Sequence, residues 1–212
     1  MLAMMGIYAI NSGQSTFSET NVDILFEARR LAERAVQSDD NNALAHVSLG
    51  RVNDLLGNTD VAIAECKNAV ELNPNLAIAH HELGMVQSHS DELEEAACSF
   101  NEAIRLSPND PSRWNFFLIR GRVLFQIGQY EEAILSSKEA SRLRTTAYFP
   151  FVFLAACYVE LRQMEEAAKA VTQVLARQPN FTCTTLRGMG EKFNMRRFDT
   201  MIENCRKAGL PE

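Results

Sequence analysis

Four histidines are the first residues of this 212-residue chain that could do chemistry, because two of them on one helical turn can hold a metal ion. His80 and His81 are adjacent and diverge on a helix, while His81 and His89 lie two turns, about 12 Å, apart along the axis. Neither pair has the i, i+4 spacing of a helical chelate, so no metal is expected. Packing roles suit His46 and His80, and roles in a binding groove suit His81 and His89. Three carboxylate pairs, Glu94-Glu95, Glu131-Glu132 and Glu165-Glu166, would suit acid–base work only in a cleft with a raised pKa. Each instead opens a predicted helix, where negative charge complements the helix dipole. Cys66, Cys98, Cys157, Cys183 and Cys205 are an odd set without a CxxC, which excludes zinc-knuckle and thioredoxin-type motifs. They read as buried free thiols in a reducing cytosol. With no nucleophile–base motif and no phosphate loop, the sequence reads as a non-enzyme without a cofactor.

The elements that position these residues recur. Gly50 returns as Gly84, Ala62 as Ala96, Ala69 as Ala103 and Pro74 as Pro108, all at one spacing. The register slips by three residues near Pro111 and then resumes, with Glu132 and Ala133 returning as Glu166 and Ala167. A period of about 34 residues means stacked helical hairpins, none of which buries its apolar face alone. Composition agrees: 46% apolar and 23% charged residues are those of an ordinary globular protein, and only six prolines and ten glycines favour helix. A formal charge of −6 argues against a general nucleic-acid binder. The apolar start, MLAMMGIYAI, lacks a basic n-region and is half the ~20 residues of a membrane span, so it reads as a core helix. Such a start is also compatible with a further region upstream.

Four complete units fit the period: 43–76, 77–110, 114–147 and 148–181. Each is a helix A, a turn, a helix B and a breaker. Asp60 opens the first helix B, and Asp91 is the expected N-cap of the second. Asn73-Pro74, Ser107-Pro108 and Gln178-Pro179 are stops, since proline disfavours helical dihedrals in the residue before it. Residues 1–42 read as a degenerate first unit: Leu2–Ile10 as helix A, a polar loop over 11–20, and Asn21–Gln37 as helix B. Residues 182–212 read as a capping segment whose amphipathic helix, Phe198–Ala208, covers the end of the array.

The chain resembles the tetratricopeptide repeat family. Its pattern appears as His80, Leu83, Gly84, Gln87, Ala96, Phe100 and Pro108, and again as Phe151, Leu154, Ala155, Tyr158, Ala167, Val171 and Pro179. In the third unit Ser137 and Thr145 replace the large residue and the proline. The resemblance implies an all-α fold: a right-handed superhelical α-solenoid of antiparallel helix pairs, about five helix-turn-helix units plus a C-terminal capping helix. It also implies a concave groove lined by helices A. Carried over position by position, that groove would hold Arg51 and Asp54, then His81, Met85 and His89, then Asn115, Arg122, Phe125 and Gln126, then Phe149 and Val152. Arg51 and Arg122 could each meet a ligand carboxylate or bridge internally to Asp54 or Glu160. Trp114, Phe125 and Phe149 would surface there as an anchor for a partner, or as a seat for the chain's own tail.

A narrower resemblance lies in the last eight residues, Cys205-Arg206-Lys207-Ala208-Gly209-Leu210-Pro211-Glu212. They look like the ending of repeat modules that follow bacterial class III adenylate/guanylate cyclase domains or winged-helix regulators. The function these readings imply is a non-catalytic, cytoplasmic scaffold that binds a peptide or protein segment in its groove. The alternative is a regulatory or self-association module of a larger signalling protein, a nucleotidyl cyclase or transcriptional regulator. The partner is a protein or peptide, not nucleic acid or membrane, and a homodimer stays open.

Overall fold

A computed structural model describes residues 19–190 and 197–212 of the chain. The expected helix over Leu2–Ile10, and the polar loop as far as residue 18, lie outside them. Among the described residues there are eleven helices: α1 (Glu19–Ser38), α2 (Ala43–Leu55), α3 (Thr59–Leu72), α4 (Ala77–His89), α5 (Leu93–Leu106), α6 (Arg113–Gln126), α7 (Tyr130–Leu143), α8 (Phe149–Glu160), α9 (Met164–Arg177), α10 (Cys183–Gly190) and α11 (Phe198–Lys207). They divide into two compact units, one ending at Val86 and the other beginning at Gln87, inside α4.

In the first unit, α2 packs on both α1 and α3. Leu25, Ala28 and Ala32 of α1 meet Leu49 and Val52 of α2 in one cluster. Two further clusters join Ala62 and Cys66 to Leu83 and Val86, and Val47 to Ala69 and Ala79. The small residue on helix A is a steric requirement. A Cβ added at Gly50 would stand 2.6 Å from Cys66 Sγ and 3.2 Å from the Ala62 carbonyl oxygen. Asn42 caps α2 by accepting from the Leu44 and Ala45 amides at 3.1 and 3.2 Å.

In the second unit α6 packs on α5 and α7, and α8 on α7 and α9. Here Gly121 faces Ser137, whose Oγ lies 2.8 Å from where a Cβ would stand. The closing turn of the third pair needs no proline. The Arg144 amide donates to Ala140 O, and Arg177 Nε reaches across to Thr145 O at 2.8 Å.

Each of the four helix pairs turns through a residue with positive φ: Gly57, Asp91, Gly128 and Arg162, at 79°, 69°, 82° and 58°. The amide that follows each one donates to a carbonyl five residues back, as in Asn58 to Asn53 at 2.8 Å and Gln163 to Tyr158 at 2.8 Å. This geometry corrects the expected role of Asp91. The Schellman turn that ends α4 takes Asp91 as its left-handed residue, so the N-cap of α5 falls to Glu92, whose side chain makes no capping bond. Aspartate tolerates that conformation better than most residues.

Candidate functional site

The groove positions of the first unit are mostly occupied by the unit's own contacts. Arg51, only 8% exposed, donates from Nη1 to Glu82 Oε2 at 3.0 Å. Its internal carboxylate is therefore Glu82 on α4, not Asp54 or Glu160. His81 and Val47 are buried, Asp54 and Met85 are half-buried, and Leu44 is exposed. His46 packs as expected. Its Nδ1 lies 2.6 Å from Glu65 Oε2 and its Nε2 3.0 Å from Asp40 O. Burial pulls its pKa down, but the hydrogen bonds to Glu65 and to the Asp40 carbonyl, with the charges of those residues, outweigh that and hold it above the ordinary histidine value. His80 is half-buried, with Nε2 at 2.9 Å from Pro74 O.

The second unit sorts the same positions differently. Arg122 is buried and donates from Nη2 to Ser88 Oγ at 3.0 Å. Gln126 is buried as well. Phe125 is fully buried, tilted against Tyr130 at 5.7 Å between ring centroids, so it does not surface as an anchor. Asn115, Trp114 and Phe149 remain half-buried and His89 is exposed. Phe149 stacks on Tyr148 at 4.6 Å and meets Phe181 edge-on at 6.4 Å. Cations cover much of the remaining aromatic surface: the Arg144 guanidinium lies 4.4 Å from the Trp114 centroid and that of Arg177 4.3 Å from Phe151.

Val152 is buried because the tail sits beside it. Helix α11 packs on α8. Its apolar face holds Met201, Ile202 and Cys205, all buried, with Asp199 in the first turn and Arg206 and Lys207 in the last, as the helix dipole favours. Asn204 Nδ2 donates to Ala156 O at 3.3 Å and to Glu160 Oε1 at 2.7 Å, and Cys205 Sγ reaches Val152 O at 3.6 Å. Arg197, just before α11, donates to the Tyr130 hydroxyl. Beyond α11, Gly209 turns the chain at φ 99°, Leu210 is buried, and Pro211 O accepts from the Cys183 amide at 2.7 Å. In the sequence, the alternation of apolar and charged residues over 198–208 marked the helix. Of the aromatic residues the sequence offered as a seat for the tail, Phe149 lies on α8, but the tail's hydrogen bonds fall on Val152, Ala156 and Glu160 of that helix.

Four cysteines are buried as expected, but Cys98 is exposed and is not among the buried residues of α5, which are Leu93, Ala96, Ala97, Ser99, Phe100 and Ala103. Burial pushes the thiols of Cys66, Cys157 and Cys205 far up, so they are protonated and inert. Among the described residues no group of three His, Cys, Asp or Glu side chains could hold a metal ion, and no helix is long and apolar enough to cross a membrane.

Of the candidate helix-A positions, Asp54, Met85, Asn115 and Phe149 are thus half-open and His89 is exposed, while the others are packed away. A family model described as "Tetratricopeptide repeat" matches residues 27–77, 56–111 and 81–141, which together span more than half of the chain. No curated protein matches the sequence. Among solved structures, PilW, a type IV pilus biogenesis factor, superposes with a TM-score of 0.71 at 18% identity, covering 97% of this chain and 86% of its own. MamA gives 0.68 at 20% identity over 78% of this chain and 97% of its own. YrrB, described as a TPR protein with an unusual peptide-binding site, gives 0.65 at 18% identity over 86% and 94%. At such identities these likenesses speak for the fold alone.

Proposed function

Because this chain belongs to the tetratricopeptide repeat family, whose fold is a non-catalytic interaction scaffold, we propose that it binds a peptide or protein segment on the open parts of its helix-A faces. One observation supports this most: in the second unit Asn115 and Phe149 stay half-open on helices A, while Leu118, Arg122, Phe125, Gln126 and Val152 around them are packed away. A polar amide on one helix A and a stacked aromatic on the next suit an extended backbone with one apolar side chain. In the first unit, Asp54 and Met85 are half-open at other positions of the helix-A face. Arg51 and Arg122 then act on a ligand through the shape they hold rather than as open cations. YrrB is described as binding peptide. We read the protein as cytoplasmic, the compartment that five free cysteines fit.

The second reading, a regulatory or self-association module of a larger signalling protein, rests on the terminal octapeptide. The packing of Cys205, Ala208 and Leu210 is a structural reason for that segment on its own. The gene product upstream of Met1 decides this reading, since a cyclase or winged-helix segment there would support it.

Photocrosslinking tests the groove. A benzophenone amino acid placed at Asn115 should trap a partner in cells, and one placed at the exposed Leu143 of α7 should not. Equal trapping at both positions, or trapping at Leu143 alone, would sink the helix-A assignment.

A further inference from the structure

The second unit carries an apolar cleft that the helix-A reading does not use. It has a volume of about 410 Å³ and lies between α7 and the α8–α9 turn. Ile134 and Tyr158, both buried, form its floor, and Leu135 and Leu161 its walls. Leu135 is 64% exposed, the most open of the large apolar side chains described. The repeat makes this an anomaly. The equivalent positions of the other three pairs hold Ala64, Cys98 and Lys169, which are small or charged. A single exposed leucine is ordinary, but one that walls a concavity with a second leucine and a tyrosine is not.

The charge at the cleft selects the occupant. Glu131 and Glu166 line it against one ammonium, Lys138, which is drawn to 5.8 Å from the Tyr158 ring centroid. Glu166 is paired with Lys169 at 2.8 Å, whereas Glu131 makes no ion pair among the described residues. The volume falls in the range of about 300–1,000 Å³ typical of ligand clefts. A partner that fills the cleft must bring an apolar side chain for Leu135 and Leu161 and a cation for Glu131. The formal charge of −6 on the whole chain favours the same sign of partner.

We propose that this cleft is a second docking site, for a short peptide segment with an apolar centre flanked by lysine or arginine. It is separate from the helix-A faces, so its fate does not depend on theirs.

The probe is a blocked Gly-Lys-Phe-Leu-Lys-Gly hexapeptide, titrated into the full chain and followed by NMR. Saturable shifts at Leu135, Tyr158 and Leu161 are expected. The acidic twin, Gly-Glu-Phe-Leu-Glu-Gly, should bind at least about tenfold more weakly, a difference of about 1.4 kcal/mol. Leu135→Glu and Glu131→Lys should each weaken the basic peptide by a similar factor, with helical content unchanged because both side chains are exposed. The proposal is overturned by absence of saturable shifts at millimolar peptide, by equal binding of the acidic twin, or by binding that survives both substitutions. It is also overturned by shifts confined to Asn115 and Phe149. Self-association of the chain that Leu135→Glu abolishes would assign the cleft to a second copy instead.

Discussion

The two units solve the same helix crossing with different atoms. In the first, Gly50 meets Cys66, a polarisable sulfur that fills its space and needs no partner. In the second, Gly121 meets Ser137, a hydroxyl buried without any hydrogen bond. The repeat therefore demands a shape at this crossing, small on helix A and filled on helix B, and leaves the chemistry of the filler free. The two buried arginines reach different side chains. Arg51 is held by a carboxylate, and Arg122 donates to the neutral Ser88.

The arginines offer the largest way to break this comparison. Glu82→Ala strands a buried guanidinium and should cost about 3–5 kcal/mol. Ser88→Ala removes a neutral acceptor from Arg122 and should cost less, about 1.5–3 kcal/mol. Urea denaturation of each variant measures the gap, and equal losses would mean that the two arginines are held alike. Next come the glycines. Gly50→Ala drives a methyl into the Cys66 sulfur and the Ala62 carbonyl, so it belongs near the top of the ~1–3 kcal/mol range for overpacking. Gly121→Ala meets only the tip of Ser137 at close range and belongs near the bottom, with much of the loss recovered in a Ser137→Ala background.

Smaller still is Ser137→Ala alone. Removing an unsatisfied hydroxyl should leave stability unchanged or raise it by up to about 1 kcal/mol. Cys66→Ala at the equivalent position opens a void and should lower it. A destabilised Ser137→Ala would reveal a bond that the serine makes. The smallest effect is in pH. The folded pKa of His46 is raised, so the stabilisation it gives is complete below its unfolded value of about 6.5 and is lost as pH rises through the folded one. The second unit contains only the exposed His89. His46→Gln should therefore flatten the decline in Tm as pH rises past the unfolded value of about 6.5, and an unaltered pH profile would show that the Glu65 contact does not persist in solution.

Much of this architecture was legible in the residue pattern. Gly50, Ala62 and Ala69 and their repeats report which faces cross closely, and that fixes helix pairing at first order. The pattern was silent wherever a residue's neighbour comes from a different period. Arg51 meets a carboxylate on the helix that follows its own pair, and Val152 is covered by a helix outside the repeat altogether. Neither of those contacts leaves a mark at 34 residues. Asp91 failed for a local reason: a polar residue before a helix can end the previous helix as readily as it caps the next. Of the candidate groove positions, Asp54, Met85, Asn115 and Phe149 are half-buried and His89 is exposed, whereas Arg51, His81, Arg122, Phe125, Gln126 and Val152 are taken up by packing.

The uneven burial of the five thiols gives the molecule a clock. While the chain is folded, only Cys98 is open to an alkylating reagent, and the other four react only when their helices part. The first label thus counts molecules, and the arrival of each later one times an opening. Cys66 reports on the first unit, Cys157 on α8, and Cys183 and Cys205 on the tail. Mass spectrometry of a single labelling series would read local lifetimes in both units without any substitution, dye or added probe.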